Sequence, residues 1–154
     1  MLQLATRCYE LMIQRSLERR TFGKYLWEHG GVQEMIADSY ADIAAARLLT
    51  LSCADTMDRV GVQRARQQIA MIKVMVPKLT YNVVDRAVQI FGGAGVGNDT
   101  MLARSLVGLR TLRIADGPDA VHQRTVARLE VQAMKARATK QNSPSDQISM
   151  RSRL

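Results

Sequence analysis

From Ile69 to Ile90 the apolar residues recur in steps of three and four: Ile69, Ile72, Val76, Leu79, Val83, Ala87 and Ile90. That rhythm places all of them on one stripe of an α-helix and conflicts with the period of two that a strand requires. Pro77 falls inside the pattern, which resumes in phase beyond it, so the proline is expected to kink the helix rather than end it. No stretch alternates in strand fashion and no internal repeat appears, so the remaining chain is expected to pack around this helix as further helices.

Glycine and proline mark out those helices. The first tract, Leu2 to Arg20, carries Leu4, Cys8, Leu11 and Met12 at helical spacing and ends at "TFGK". A short irregular segment, "YLWEHGG", is expected to break at Gly30 and Gly31. The second tract, Val32 to Arg59, aligns Val32, Met35, Ile36, Ile43, Ala46 and Leu49, with Gly61 as its stop. Beyond "FGGAGVGND" a fourth tract carries Leu102, Leu106, Leu109 and Leu112, with Asp99 as its N-cap. The fifth starts at Pro118, runs to about Lys140 and carries Val121, Val126, Leu129 and Ala133. Short connections between long amphipathic helices imply antiparallel neighbours. The expected fold is all-α, an up-and-down helical bundle over residues 1–140, with the polar segment 141–154 as a disordered tail.

With 154 residues, 47% of them hydrophobic, the chain can bury one sizeable core. No apolar stretch approaches the roughly 20 residues of a membrane span, and the N-terminus lacks the features of a secretory signal, so no membrane partner is expected. The net charge of +8 would suit an anionic partner, but the cations are spread along every helix and the aromatics number one Trp, four Tyr and two Phe, so nucleic acid is not expected either. Cys8 and Cys53 are far apart and read as reduced core thiols of an intracellular protein. His29 and His122 have no cysteine or acid cluster at ligand spacing, so no metal site is expected.

Three segments are more polar or glycine-rich than a bundle requires. "ERRTFGK", Glu18 to Lys24, reads as a helix C-cap enriched in cations or as a phosphate clamp with an aromatic platform. "VQIFGGAGVGND", Val88 to Asp99, holds more glycine than one cap needs and would let a ligand approach the backbone. No strand precedes it, so it is not a dinucleotide fingerprint. "RIADGPDAVH", Arg113 to His122, sets Asp116 against Gly-Pro where a helix halts, which reads as capping or as a carboxylate presented for chemistry.

In this order and spacing the three segments resemble the C-terminal helical domain of the acyl-CoA dehydrogenases, which are flavoenzymes. The resemblance covers about Leu4 to Val131, and "ADGPDAVH" looks most like the branch in which a kinase-like domain can precede the dehydrogenase in eukaryotes. It implies that Arg19, Arg20, Thr21 and Phe22 contact an FAD held mainly by a neighbouring subunit. It likewise implies that Gln89, Gly92 and Gly93 form a second FAD contact across a subunit interface. Asp116 matches the catalytic base, usually Glu, and Asp119 and Ala120 match positions that close over the cofactor. The implied reaction is α,β-dehydrogenation of an acyl-CoA to the 2,3-enoyl-CoA in fatty-acid β-oxidation, in a homodimer or homotetramer that passes electrons to an acceptor protein. A carboxylate in an apolar pocket has a raised proton affinity and can take the α proton, while the backbone N–H at the same position would help hold the thioester oxygen. Asp116 is thus expected to project into a cleft near the glycine turn and the basic end of the first helix.

Departures from the family pattern bear on the acyl pocket and the flavin contacts. Asp116 is one bond shorter than the usual Glu, Ala115 stands where many members carry an aromatic residue, and Gly30 replaces a Gln that often touches flavin. Gln123 occupies a position where Arg is frequent, with Arg124 beside it, and neither is assigned. The family's N-terminal helical and central β domains have no counterpart in this sequence, so turnover by this polypeptide alone is not expected. The alternative is a non-catalytic helical dimerisation module that associates with full-length relatives. Ser152-Arg153-Leu154 resembles the Ser-Lys-Leu peroxisomal address, with mitochondrial or cytoplasmic residence as alternatives, and a peroxisomal setting would also admit an acyl-CoA oxidase role.

Overall fold

The computed structural model of the chain describes residues 1–141. Its helices are α1 (Leu2–Glu18), α2 (Gly30–Val60), α3 (Arg66–Phe91), the single turn α4 (Gly93–Val96), α5 (Leu102–Thr111) and α6 (Asp119–Gln141). Between α1 and α2 lie a two-residue antiparallel pair, β1 (Arg20–Thr21) with β2 (Lys24–Tyr25), and one 3-10 turn at Leu26–Glu28. The architecture is all-α, as the periodicity requires.

α3 is the central helix and packs against α1, α2, α5 and α6. Val76, Val83, Val84, Ala87 and Ile90 are buried along it, and the helix runs unbroken through the buried Pro77. The main core joins Val84, Ala87 and Ile90 to Cys8 and Met12 of α1 and to Leu102 and Leu109 of α5. Burying a side chain of this size contributes about 1.5–3 kcal/mol, so this cluster outweighs any single polar contact in the molecule.

Side-chain pairs set the helix directions. Arg15, late in α1, lies over the Phe91 ring at 5.5 Å from its centroid, so the ends of α1 and α3 coincide. Arg86, late in α3, pairs with Asp42 at 2.7 Å, early in α2, so α2 runs the other way. Lys73 donates to Leu112 O at 2.7 Å, which brings the end of α5 back to the first half of α3. The up-and-down alternation holds through α5. α6 continues in the direction of α5, because Gln67 Nε2 donates to Glu130 Oε2 at 2.9 Å, so α5 and α6 together make one interrupted leg antiparallel to α3. Residues 112–118 offset an interrupted helix instead of turning the chain back.

Several boundaries differ from the sequence-based expectation. α1 ends at Glu18, because Arg19 is extended (φ −85°, ψ 135°) and feeds a hairpin too short to show alternation. Gly30 and Gly31 begin α2 and do not break the chain. Asp99 does not cap α5; the Thr100 hydroxyl accepts from Leu102 N at 3.4 Å instead. On α6, Val126, Leu129 and Ala133 of the expected stripe are half-buried while Val121 is exposed, as are Val131 and Met134 outside it. The segment 142–154, including Ser152-Arg153-Leu154, lies outside the described residues.

Cys8 and Cys53 are both buried and unpaired, and burial pushes the Cys8 thiol up, partly offset by a hydrogen bond with Ser105. Among the described residues no helix is long and apolar enough to cross a membrane. Met12 is fully buried, so Met12→Ala is expected to lower the unfolding free energy by about 2–5 kcal/mol in urea denaturation. Leu48→Ser, at a position that is 68% exposed, should stay within about 0.5 kcal/mol of the parent in the same measurement.

Candidate functional site

The basic segment after α1 is a tight hairpin. Arg20 pairs with Tyr25 and Thr21 with Lys24, leaving Phe22 and Gly23 at the turn with φ of 50° and 83°. Two consecutive positive φ values are what a two-residue hairpin turn of the mirror-image type needs. For glycine this is free, but for phenylalanine it costs about 1–3 kcal/mol. Burial among the described residues does not offset that cost, since Phe22 is 97% exposed and meets only the His29 ring, edge-on at 6.4 Å between centroids. An exposed aromatic ring held in a strained conformation is a signature of a contact surface rather than of a core.

The hairpin is braced from within. Arg20 lies over the Tyr25 ring at 4.7 Å and donates to Gly23 O at 3.2 Å. His29 Nε2 sits 3.2 Å from Thr21 Oγ1 and 3.3 Å from Thr21 O. Arg19 is exposed and forms no ion pair among the described residues. The result is a rigid, cationic projection ending in an aromatic ring.

The glycine-rich turn lies at the same end of the bundle. Arg15 over Phe91, and a shallow recess lined by Leu11, Gln14, Arg15, Glu18 and Phe91, bring the end of α1 against the end of α3. Gln89 is exposed on the last turn of α3. Gly92 closes that helix at φ 63°, ψ −137°, donating to Val88 O at 3.0 Å, a conformation that L side chains avoid. A Cβ on Gly95 would fall 2.6 Å from Val88 O, so this glycine serves close packing. Gly93 has neither reason, and nothing lies within 4 Å of where its Cβ would be. Open, exposed backbone at that position is free to receive a ligand.

Asp116 occupies the opposite part of the molecule. It stands at φ 54° next to Gly117 at φ 98°, between the end of α5 and the start of α6, and its side chain is exposed. Lys73 and Phe91 lie 18 positions apart on α3, so at about 1.5 Å per residue the Asp116 loop and the glycine turn are separated by roughly 25 Å. The structure therefore does not bring Asp116, Arg19–Phe22 and Gln89–Gly93 into one cleft within a single chain. Nor do the described residues enclose the carboxylate in an apolar pocket. The first expectation fails because the loop is held at Lys73, in the first half of α3, while the basic hairpin and the glycine turn lie at its C-terminal end.

The Asp116 loop is held by residues that sequence reasoning passed over. Lys73 Nζ donates to Leu112 O at 2.7 Å, Ala115 O at 2.8 Å and Gly117 O at 3.5 Å. His122 Nε2 sits 3.2 Å from Asp116 O. Arg113 pairs with Asp119, Nη2 to Oδ2, at 2.7 Å. Asp119 is thus engaged in an ion pair through Oδ2, while its Oδ1 is buried without a partner among the described residues. Lys73 carried the one usable sequence signal, a cation beside the Ile69, Ile72 and Val76 stripe. Next to the loop lies an apolar cavity of about 550 Å³ lined in part by Leu2, Ile69, Ile72, Lys73, Val76 and His122.

Residues 1–149 match the profile described as "Acyl-CoA dehydrogenase, C-terminal domain". The chain is 47% identical over 129 residues to acyl-CoA dehydrogenase family member 11 of Rattus norvegicus, covering 84% of this chain and 17% of that protein. A solved structure from Mycobacterium abscessus, assigned to the acyl-CoA dehydrogenases, superposes with a TM-score of 0.85 at 43% identity, over 86% of this chain and 33% of that one. The FAD complex of PigA superposes with a TM-score of 0.75 at 25% identity, over 80% of this chain and 32% of that one. The chain thus spans about a sixth to a third of the length of the relatives it matches.

The different reasons for the glycines give distinct expectations in thermal or urea unfolding. Gly92→Ala should destabilise by about 1–3 kcal/mol through its backbone conformation, and Gly95→Ala should also destabilise, through its clash with Val88 O. Gly93→Ala should be neutral to within about 0.5 kcal/mol.

Proposed function

Because the chain belongs to the acyl-CoA dehydrogenase family as its C-terminal domain, we propose that it forms part of an FAD-dependent enzyme that oxidises acyl-CoA thioesters to 2,3-enoyl-CoA in fatty-acid β-oxidation, with Asp116 as the base. The observation that carries this reading is the break between α5 and α6, where an aspartate in a disfavoured conformation is exposed on a loop anchored from beneath. Strain of this kind persists only where the surroundings enforce it, and it clusters at sites of chemistry.

In the proposed reaction a carboxylate oxygen of Asp116 takes the pro-R α proton, and the Asp116 N–H donates to the thioester oxygen as negative charge develops there. Bound FAD supplies acceptance of the hydride that leaves the β carbon. The small Ala115 leaves space beside the base for the acyl chain.

The residues at the other end of the bundle fit a flat, diphosphate-bearing cofactor. Phe22 offers an exposed ring, Arg19, Arg20 and Thr21 offer charge and a hydroxyl, and Gln89 with Gly92 and Gly93 offers an amide beside open backbone. Their distance from Asp116 means that they serve a flavin other than the one beside their own base. That supports a homodimer or homotetramer in which each subunit completes a neighbour's cofactor site. In this arrangement Asp119 orders the loop through its ion pair with Arg113, its second oxygen being buried without a partner among the described residues. The electrons then pass to an electron-transferring acceptor protein, in the peroxisome if Ser152-Arg153-Leu154 serves as an address.

A second reading, a helical association module without catalysis, is favoured by the exposed Tyr40, Leu48 and Leu51 on one outer face of α2. Size measurement and an absorbance scan of the enzyme that contains this domain separate the two, since a non-catalytic module would form an oligomer without a visible band. In the flavin-loaded enzyme, Asp116→Asn should lower acyl-CoA oxidation by about 10²–10⁴-fold with the yellow absorbance kept. Full activity in that variant would remove Asp116 from the role of base.

A further inference from the structure

We propose that Lys73 is the positioning residue of the Asp116 loop, its ammonium orienting the peptide between Ala115 and Asp116; the proposal rests on the reading of Asp116 as the base. An ammonium group has three N–H donors and no acceptor. Here its contacts go to the carbonyls of Leu112, Ala115 and Gly117, at 2.7, 2.8 and 3.5 Å, all in one short loop and bracketing Asp116. These carbonyls lie 39 to 44 residues from Lys73 in sequence, so α3 reaches across the bundle to hold a loop between two other helices. Lys73 forms no ion pair with a carboxylate among the described residues. Its charge is directed at backbone oxygens, including the cap of α5, where a helix terminus concentrates negative partial charge.

The consequence for Asp116 follows from the planarity of the peptide bond. In a trans peptide the C=O of one residue and the N–H of the next point in opposite directions. Holding Ala115 O against Lys73 therefore turns the Asp116 N–H away from the bundle, where it donates to no acceptor among the described residues. His122 adds a fourth fixed carbonyl, Asp116 O, and its ring lies so close to Gly117 that a Cβ there would sit 2.8 Å from Nε2. With the oxygens at 115, 116 and 117 all engaged, the Asp116 N–H is left without an acceptor among the described residues and its side chain is exposed. Lys73 touches no reacting atom in this scheme; it acts through the loop.

The test uses the 154-residue chain with Lys73→Met, and Lys73→Gln as a second variant if the first does not fold. Amide hydrogen exchange over residues 112–118 should accelerate at least about 10-fold, while the buried amides of α1 and α3 change less than about 3-fold. The chain has two histidines, and only the ring resonances of His122 should shift, those of His29 at the far hairpin staying in place. Unchanged loop exchange, equal acceleration in every helix, or a stationary His122 would overturn the proposal. In a flavin-loaded enzyme containing this domain, Lys73→Met should lower kcat by about 100-fold with the acyl-CoA KM within about threefold, and Lys73→Arg should restore part of kcat. A retained kcat would also overturn it. Full activity in Asp116→Asn, alongside a loop that opens in Lys73→Met, would instead show that the assignment of the base had failed and the anchoring had not.

Discussion

The burial of one face of α3 is the interaction on which the rest of this domain depends. Val76, Val83, Val84, Ala87 and Ile90, interrupted only by the buried Thr80 whose hydroxyl bonds back to Val76 O, form the surface against which α1, α2 and α5 pack, with α6 docking on the N-terminal half. Because a helix is stiff along its axis, this also makes α3 a spacer. Whatever is attached near Lys73 and whatever is attached near Phe91 are kept apart by a length that no loop movement alters. The division of functional residues between two ends of the bundle follows from that stiffness.

The two ends are built differently. At the Phe91 end the polar groups are turned outward: a hairpin whose aromatic tip is exposed at 97%, and a glycine at position 93 with space around it. Both features are costly or useless for an isolated domain and sensible for one that meets a partner. At the Lys73 end the polar groups are turned inward, onto the backbone of the loop that carries Asp116. Candidate residues at both ends suit the proposed assembly in which neighbours complete each other. The relatives that the chain matches, of which it spans only a fraction, carry the name of acyl-CoA dehydrogenases.

Much of this was legible in the sequence. The three-and-four spacing identified the long helices, and "RTFGK", "QIFGGAGV" and "ADGPDAVH" singled out the segments that depart from a bundle's needs. The hairpin at Arg20–Tyr25 was not legible, because two residues per strand cannot show a period of two. The N-cap at Asp99 went wrong because capping depends on one side-chain rotamer reaching one amide, and Thr100 reaches it instead. α6 was read as an apolar stripe from Val121 to Ala133, of which Val126, Leu129 and Ala133 are half-buried and Val121 is exposed.

What the sequence by itself determined was periodicity and local backbone chemistry: which segments are helical, where glycine is needed, and which motif holds the aspartate. These are properties of neighbours a few positions apart, so they are written in order along the chain. Only the tertiary structure decided that Lys73 holds the Asp116 loop across some forty residues, that Asp119 pairs with Arg113, and that the basic hairpin and the aspartate face different ends. Those relations depend on the directions in which helices pack, and several packings satisfy the same apolar pattern until their side chains interlock.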